Sequence, residues 1–266
     1  MLLALDAGNT NITIGAFDGE KLIGHWRLRT IPEQTPDEWG ILLRNLFSLS
    51  SLDVGALDLA AVDLKTIDGV VISSVVPAVD QPLAAMAERY FHREPLFVTP
   101  AMDLGIKVRY DNPREVGADR LVNAVAGFHK YGGPCVIVDL GTTINFDVVS
   151  KDAEFLGGVI APGIGMSISG LFARTARLPM VDFREPEKLI GSNTVGSIQS
   201  GLYYGFLGMI DGIVERIAAQ LGPGTKAVAT GGQGELIVHG SRSVKIYDEN
   251  LTLEGLRLIW ERSSKG

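Results

Sequence analysis

A chain of 266 residues with 46% hydrophobic residues, 21% charged residues and 32 glycines is long enough for a substantial core, which excludes a disordered or collagen-like polypeptide. Its formal charge of −7, with no cluster of Lys and Arg, excludes a dedicated nucleic-acid surface, because neutralising phosphates requires concentrated cations. No basic segment followed by an apolar stretch opens the chain, and no apolar run reaches the roughly 18 residues of a membrane span; the expectation is a cytoplasmic protein with no membrane partner.

Strand signals come first: LLALD (2–6), ITIGAF (12–17) and KLIGHWRL (21–28), joined by turns at Gly8-Asn9 and Asp18-Gly19. The basic stretch from His25 to Arg29 reads as the solvated face of the third strand. Trp39, Leu42, Leu43 and Leu46 stand at helical spacing and predict a helix from about Pro36 to Leu49. GVVISSVV (69–76) reads as a buried strand, Pro77 starts a helix running to about Phe91, and EPLFVT gives a short strand. After a loop through Pro113, a helix from about Ala118 to Tyr131 leads into the strand CVIVDLG (135–141). FLGGVIAPG (155–163) is a further strand, a helix spans roughly Thr194 to Leu221, and KAVAT (226–230) ends at Gly231-Gly232. SVKIY is another strand, and LTLEGLRLIWER closes with a helix. The one cysteine, Cys135, lies in the apolar run PCVIVDL without a neighbouring His or basic group, and reads as a buried structural thiol. His129 and His239 lack partners at metal-ligand spacing.

The chain repeats itself. LALDAGNTNITIGAF set beside VIVDLGTTINFDVVS brings the Asp, the Gly and the small polar residues into coincidence at an offset of 133 positions, half the chain. The third strand follows each copy, so the sequence reads as two β-β-β-α-β-α units, residues 1–115 and 116–266, expected to pack around a cleft. Small turn residues allow backbone N–H groups to approach phosphate oxygens, and a carboxylate at the strand end suits a hydrated Mg²⁺. An Asp-x-Gly turn is common; two in register point to a phosphate and metal site.

This duplicated α/β layout resembles the actin, hexokinase and heat-shock chaperone superfamily, with a ribonuclease H-like fold in each half, and Gly231-Gly232 resembles its adenosine-contacting turn. Within it, DAGNT (6–10), YDNPREVGADR (110–120), DLGTT (139–143), GGVIAPG (157–163), LFARTARLP (171–179) and NTVGSIQSGLYYG (193–205) resemble the type III pantothenate kinases in family order. The resemblance implies ATP-dependent phosphorylation of pantothenate, the first step towards coenzyme A, by a homodimer. It further implies that Asp6, Ala7, Gly8, Asn9, Thr10, Asn11, Ile12 and Thr13 form the ATP-phosphate stretch, with Asp6 near Mg²⁺. Asp119 matches the general base; Gly117, Ala118 and Arg120 line the pantothenate site with it, and Tyr110 and Thr194 match further substrate contacts. Asp139 matches the ligand of a monovalent cation, potassium or ammonium, and Thr142 an ATP contact. One departure stands out: the family reads Ala-x-Thr after DLGT, and this chain has Thr143, Ile144 and Asn145.

Each of these residues also has a plain structural reading. Asp119 and Arg120 can open a helix, where an acidic group complements the dipole. Tyr110 can pack over the turn at Asp111-Asn112-Pro113, and Thr194 can cap the long helix. A non-catalytic relative acting as an accessory transcription factor is the second functional reading, disfavoured by the acidic charge and by the presence of Asp6, Asp119, Arg120 and Asp139. A superfamily kinase or phosphatase acting on a sugar or acyl phosphate is the third, disfavoured by GADR and TVGSIQSG.

Overall fold

A computed structural model describes residues 1–49, 66–174 and 178–264. Residues 175–177 of the LFARTARLP motif lie outside the described residues. The chain divides into two compact units, one formed by Met1–Gly105, Asn112–Ala126 and Thr252–Gly266, the other by Ile106–Asp111 and Gly127–Leu251.

The first unit holds a five-stranded sheet built from β1 (Leu2–Ala7), β2 (Asn11–Asp18), β3 (Lys21–Arg29), β4 (Gly69–Ser74) and β5 (Leu96–Phe97), in the order β3-β2-β1-β4-β5. The first three strands run antiparallel, and β4 and β5 add in parallel. Alternation decides what each face carries. Leu3, Leu5 and Ala7 of β1, Ile12 and Ile14 of β2, and Val70 and Ile72 of β4 are buried against one face. There they meet Trp39, Leu43 and Phe47 of α1 (Pro36–Leu49) and Val79, Leu83 and Met86 of α2 (Pro77–Met86). Each such large side chain contributes about 1.5–3 kcal/mol on leaving water. The other face meets α7 (Leu251–Ser263): a Cβ on Gly69 would stand 2.0 Å from the Trp260 ring, so only glycine allows this packing. The helix predicted to run to Phe91 is α-helical through Met86 and widens into a π-turn over Ala87–Phe91, closed by left-handed His92. His25, Arg27 and Arg29 alternate outward on β3, an edge strand whose charge opposes pairing with another chain.

The second unit repeats the plan with β7 (Cys135–Leu140), β8 (Thr143–Val149), β9 (Glu154–Pro162), β10 (Lys226–Thr230) and β11 (Ile246–Tyr247), in the order β11-β10-β7-β8-β9. β6 (Lys107–Val108), absent from the sequence reading, extends this sheet beside β9. Val136, Val138, Ile144 and Phe146 pack on Tyr203, Phe206, Leu207 and Ile210 of α5 (Thr194–Leu221). α3 (Ala118–Tyr131) begins in the first unit and ends in the second; α4 (Ile164–Ala173) and α6 (Gly234–Gly240), also unforeseen, belong to the second. Burial pushes the Cys135 thiol up to about 12, against the pull of Lys226, so it stays protonated.

Asp211 is a structural carboxylate of this unit. It is buried on α5 and accepts hydrogen bonds from the hydroxyls of Ser241 (2.6 Å) and Ser243 (2.7 Å) and from the N–H groups of Arg242 (3.0 Å) and Ser243 (3.1 Å). Burial raises its pKa, but these donors outweigh burial and bring it to about 2, below the ordinary 3.8. The unfolded chain therefore takes up the proton first, and the stability Asp211 confers is complete above 3.8 and lost as pH falls towards 2. Asp211→Ala orphans these donors and is expected to cost about 3 kcal/mol, measured by urea denaturation at neutral pH. A cost under about 0.5 kcal/mol would contradict this.

Candidate active site

In the first unit, Asp6 sits half-buried at the end of β1, opposite Thr13 on β2 and Ser73 on β4. Gly8 donates its N–H to the Asn11 carbonyl at 3.0 Å, which closes the turn. Thr30 braces it from β3's far end, its hydroxyl donating to the Gly8 carbonyl at 2.6 Å and its N–H to the Thr10 carbonyl at 3.0 Å. Asn9, Thr10 and Asn11 are exposed at the tip.

The ends of β1 and β4 lead directly to GADR. Val75 donates its N–H to the Ala7 carbonyl at 3.1 Å, and a Cβ on Gly117 would stand 3.3 Å from Val75 Cγ1 and 2.5 Å from Asp119 Oδ1. Glycine at 117 thus lets the Asp119 carboxylate fold back over the backbone at the start of α3. Oδ1 accepts the Arg120 N–H at 2.8 Å, so Asp119 satisfies one of the otherwise unpaired N–H groups in the first turn of α3. Burial nevertheless pushes its carboxyl above the ordinary 3.8, and the N–H and guanidinium of Arg120, pulling the other way, do not cancel the rise. Arg120 itself is buried. Where desolvation outweighs a neighbouring cation, as here, a carboxylate is a proton acceptor more basic than one in water.

In the second unit, Asp139 ends β7 as Asp6 ends β1. It lies opposite Asn145 on β8 and Thr230 on β10. Gly141 donates its N–H to the Thr143 carbonyl at 3.0 Å, a turn one residue shorter than its N-terminal counterpart, so the repeat slips by one position after the glycine. Thr142 is exposed at the tip. Gly231, at the end of β10, has φ +89°, and a Cβ there would stand 2.7 Å from the Leu140 carbonyl oxygen and 2.9 Å from Asp139 Oδ1. The departures from the family pattern fall beside this place: the Thr143 hydroxyl lies 3.3 Å from Asn145 Oδ1, and Asn145 is buried.

Tyr110 and Thr194 belong to this second unit, whereas Gly117 to Arg120 belong to the first. Tyr110 packs on Phe155, ring centroids 6.3 Å apart, towards the opposite end of β9 from the β7–β8 turn. Thr194 is exposed and does not cap α5; Asn193 does, accepting the Gly196 N–H at 2.8 Å. Asn is the better cap because its carbonyl reaches the third helical N–H from an extended backbone.

The donors present suit hard cations. Asp6 and Asp139 are flanked by hydroxyl and carbonyl oxygens, and the Gly231 cradle is lined by oxygen. Among the described residues no three His, Cys, Asp or Glu side chains converge on a common point. A divalent ion would therefore be held by one or two carboxylates, with water and substrate phosphate completing its shell.

A sequence profile for type III pantothenate kinases matches residues 2–216. The chain is 65% identical over 263 residues to a type III pantothenate kinase of Solibacter usitatus, covering 99% of this chain and 97% of that one. It is 46% identical over 263 residues to one of Myxococcus xanthus, covering 99% of each. Among solved structures, a Campylobacter jejuni protein described within the Baf family of transcriptional activators superposes with a TM-score of 0.60 at 18% identity, over 99% of this chain and 100% of the other. The ethanolamine utilization protein EutJ of Carboxydothermus hydrogenoformans gives 0.55 at 13% identity, over 97% and 89%. Likeness at this identity speaks to the fold alone: each unit is an actin-like half.

Proposed function

The chain belongs to the type III pantothenate kinase family, and from that membership we propose a phosphotransferase in which Asp119 is the base that activates the acceptor. The enzyme uses ATP to phosphorylate the primary hydroxyl of pantothenate, yielding 4'-phosphopantothenate for coenzyme A synthesis. The observation that carries the assignment of Asp119 is its raised carboxyl, folded over Gly117 at the strand ends where Asp6 also lies.

Phosphoryl transfer is chiefly positioning and charge stabilisation. The pantothenate hydroxyl gives its proton to Asp119 as its oxygen bonds to the γ-phosphorus, and the bond to the β–γ bridging oxygen breaks, leaving ADP. The turn from Asp6 to Thr13 presents N–H groups and small side chains to the phosphates, and Thr142 adds a contact from the second repeat. Asp6 would hold Mg²⁺, which would supply charge neutralisation, and Asp139 would hold potassium or ammonium. Arg120 holds the substrate carboxylate or the charge developing on the transferred group, with Tyr110 and Thr194 completing the pantothenate contacts.

We place this reaction in the cytoplasm, where ATP is available, and among the described residues no helix is long and apolar enough to cross a membrane. A homodimer is supported by exposed apolar side chains in one stretch of the second unit, including Ile160, Met166, Met180, Leu189 and Ile190, the last 85% exposed. The transcription-factor reading gains nothing from a fold likeness at 18% identity.

The test is ADP release with pantothenate, ATP and Mg²⁺, with and without potassium. Turnover is expected to require pantothenate and to rise with the monovalent cation. Folded protein that releases no ADP across several nucleoside triphosphates and cations would overturn the proposal.

A further inference from the structure

Ser73 lies on β4 and is fully buried, and its hydroxyl meets no hydrogen-bond partner among the described residues. A buried hydroxyl without a partner costs free energy, and an alanine there would remove that cost. Its place in the sheet suggests why the cost persists. Ser73 is the register partner of Asp6 on the adjacent parallel strand, so the two side chains leave the sheet on the same face. That face is the one away from Leu5, Ala7 and Ile72, which belong to the core beneath α1 and α2.

The second unit supplies an independent copy of the arrangement. Thr230 is the register partner of Asp139, also on the parallel neighbour strand, and is 2% exposed. Both halves set a buried hydroxyl side chain beside the strand-end carboxylate, at equivalent places in sheets of equivalent order. Neither position lies within the stretches that carry the family resemblance.

We infer that Ser73 is a positioning residue for Asp6: on arrival of Mg²⁺ and ATP its hydroxyl donates to one carboxylate oxygen and turns the other towards the ion. The inference rests on the reading of Asp6 as the Mg²⁺ carboxylate. Ser73, being buried, touches neither nucleotide nor acceptor and acts only through Asp6.

The experiment measures Mg²⁺·ATP binding by calorimetry, without pantothenate, for the wild type, Ser73→Ala, Asp6→Asn and the double variant, with melting temperatures of the free proteins alongside. Ser73→Ala is expected to melt at or slightly above the wild-type temperature and to bind Mg²⁺·ATP about tenfold more weakly, the worth of one hydrogen bond to a charged group. In the Asp6→Asn background the same change is expected to cost less than about twofold. Wild-type affinity in Ser73→Ala would overturn the inference, as would an equal loss in both backgrounds or a markedly lowered melting temperature. Wild-type affinity in Asp6→Asn alone is a separate result, which removes Asp6 from the metal site whatever Ser73 does. Ser73→Cys, which keeps the size and a weak donor, is expected to fall between serine and alanine.

Discussion

Asp119→Asn is expected to lower kcat by about 10² to 10⁴ while leaving the Kd for pantothenate within about twofold, because general-base catalysis carries that share of the rate. The substitution is discriminating because Asp119 also serves its helix. Its Oδ1 accepts the Arg120 N–H at 2.8 Å, and an asparagine carbonyl can accept the same bond. The fold and the Gly117 contact therefore survive, and only the capacity to take a proton is lost. The wild-type acid limb provides a second reading. Burial raises this carboxyl above 3.8, and the base works only when ionised, so kcat/KM, which reports the free enzyme, is expected to fall on its acid side at a pH higher than an unperturbed carboxylate would give. Steady-state kinetics beside calorimetric binding decides the matter. A near-normal kcat in Asp119→Asn would reduce Asp119 to an acceptor in the first turn of its helix and leave the hydroxyl to another base.

Asp139→Ala is expected to abolish activation by potassium, or to raise the concentration needed by at least about tenfold, with the fold retained. Asp139 stands half-buried at a strand end. Beside it, Gly231 at φ +89° leaves a space that any Cβ would fill, bordered by the Leu140 carbonyl oxygen and Asp139 Oδ1. A weakly hydrated monovalent cation suits carbonyl and carboxylate oxygens in such a space, and removing the carboxylate removes the charge that holds it. Titration of activity with potassium and with ammonium measures the effect. A variant with the wild-type cation dependence would show that Asp139 is not the ligand.

The duplication was legible because it is written in residue types: an apolar strand, an Asp, a Gly and small polar residues recur, and the two sheets share the order they imply. The slip of one residue after Gly141 was not legible, since Thr142 and Thr143 fit either alignment until hydrogen bonds fix the turn. α4 and α6 escaped notice for a compositional reason. IGMSISGLFA and GELIVHG each carry two glycines and lack a polar stripe, so they show weak helical periodicity. β6 is a two-residue strand whose pairing comes from tertiary context, whereas β11 lies within the strand expected at SVKIY. Of the site, Asp6, Asp119 and Asp139 could be named from motifs, but the burial that makes Asp119 more basic is a product of tertiary packing that no motif spells out. Thr30 and Ser73 carried no signal, because only strand register and chain return bring them to the Asp6 turn. Asn193 rather than Thr194 caps α5, a distinction between adjacent polar residues that backbone geometry alone settles.

The most direct measurement is phosphorus NMR of a reaction holding pantothenate, ATP, Mg²⁺ and potassium. The account predicts a new phosphate-ester resonance coupled to the methylene protons of the primary alcohol, growing in step with ADP. ADP without that ester, or an ester on another acceptor only, would contradict it.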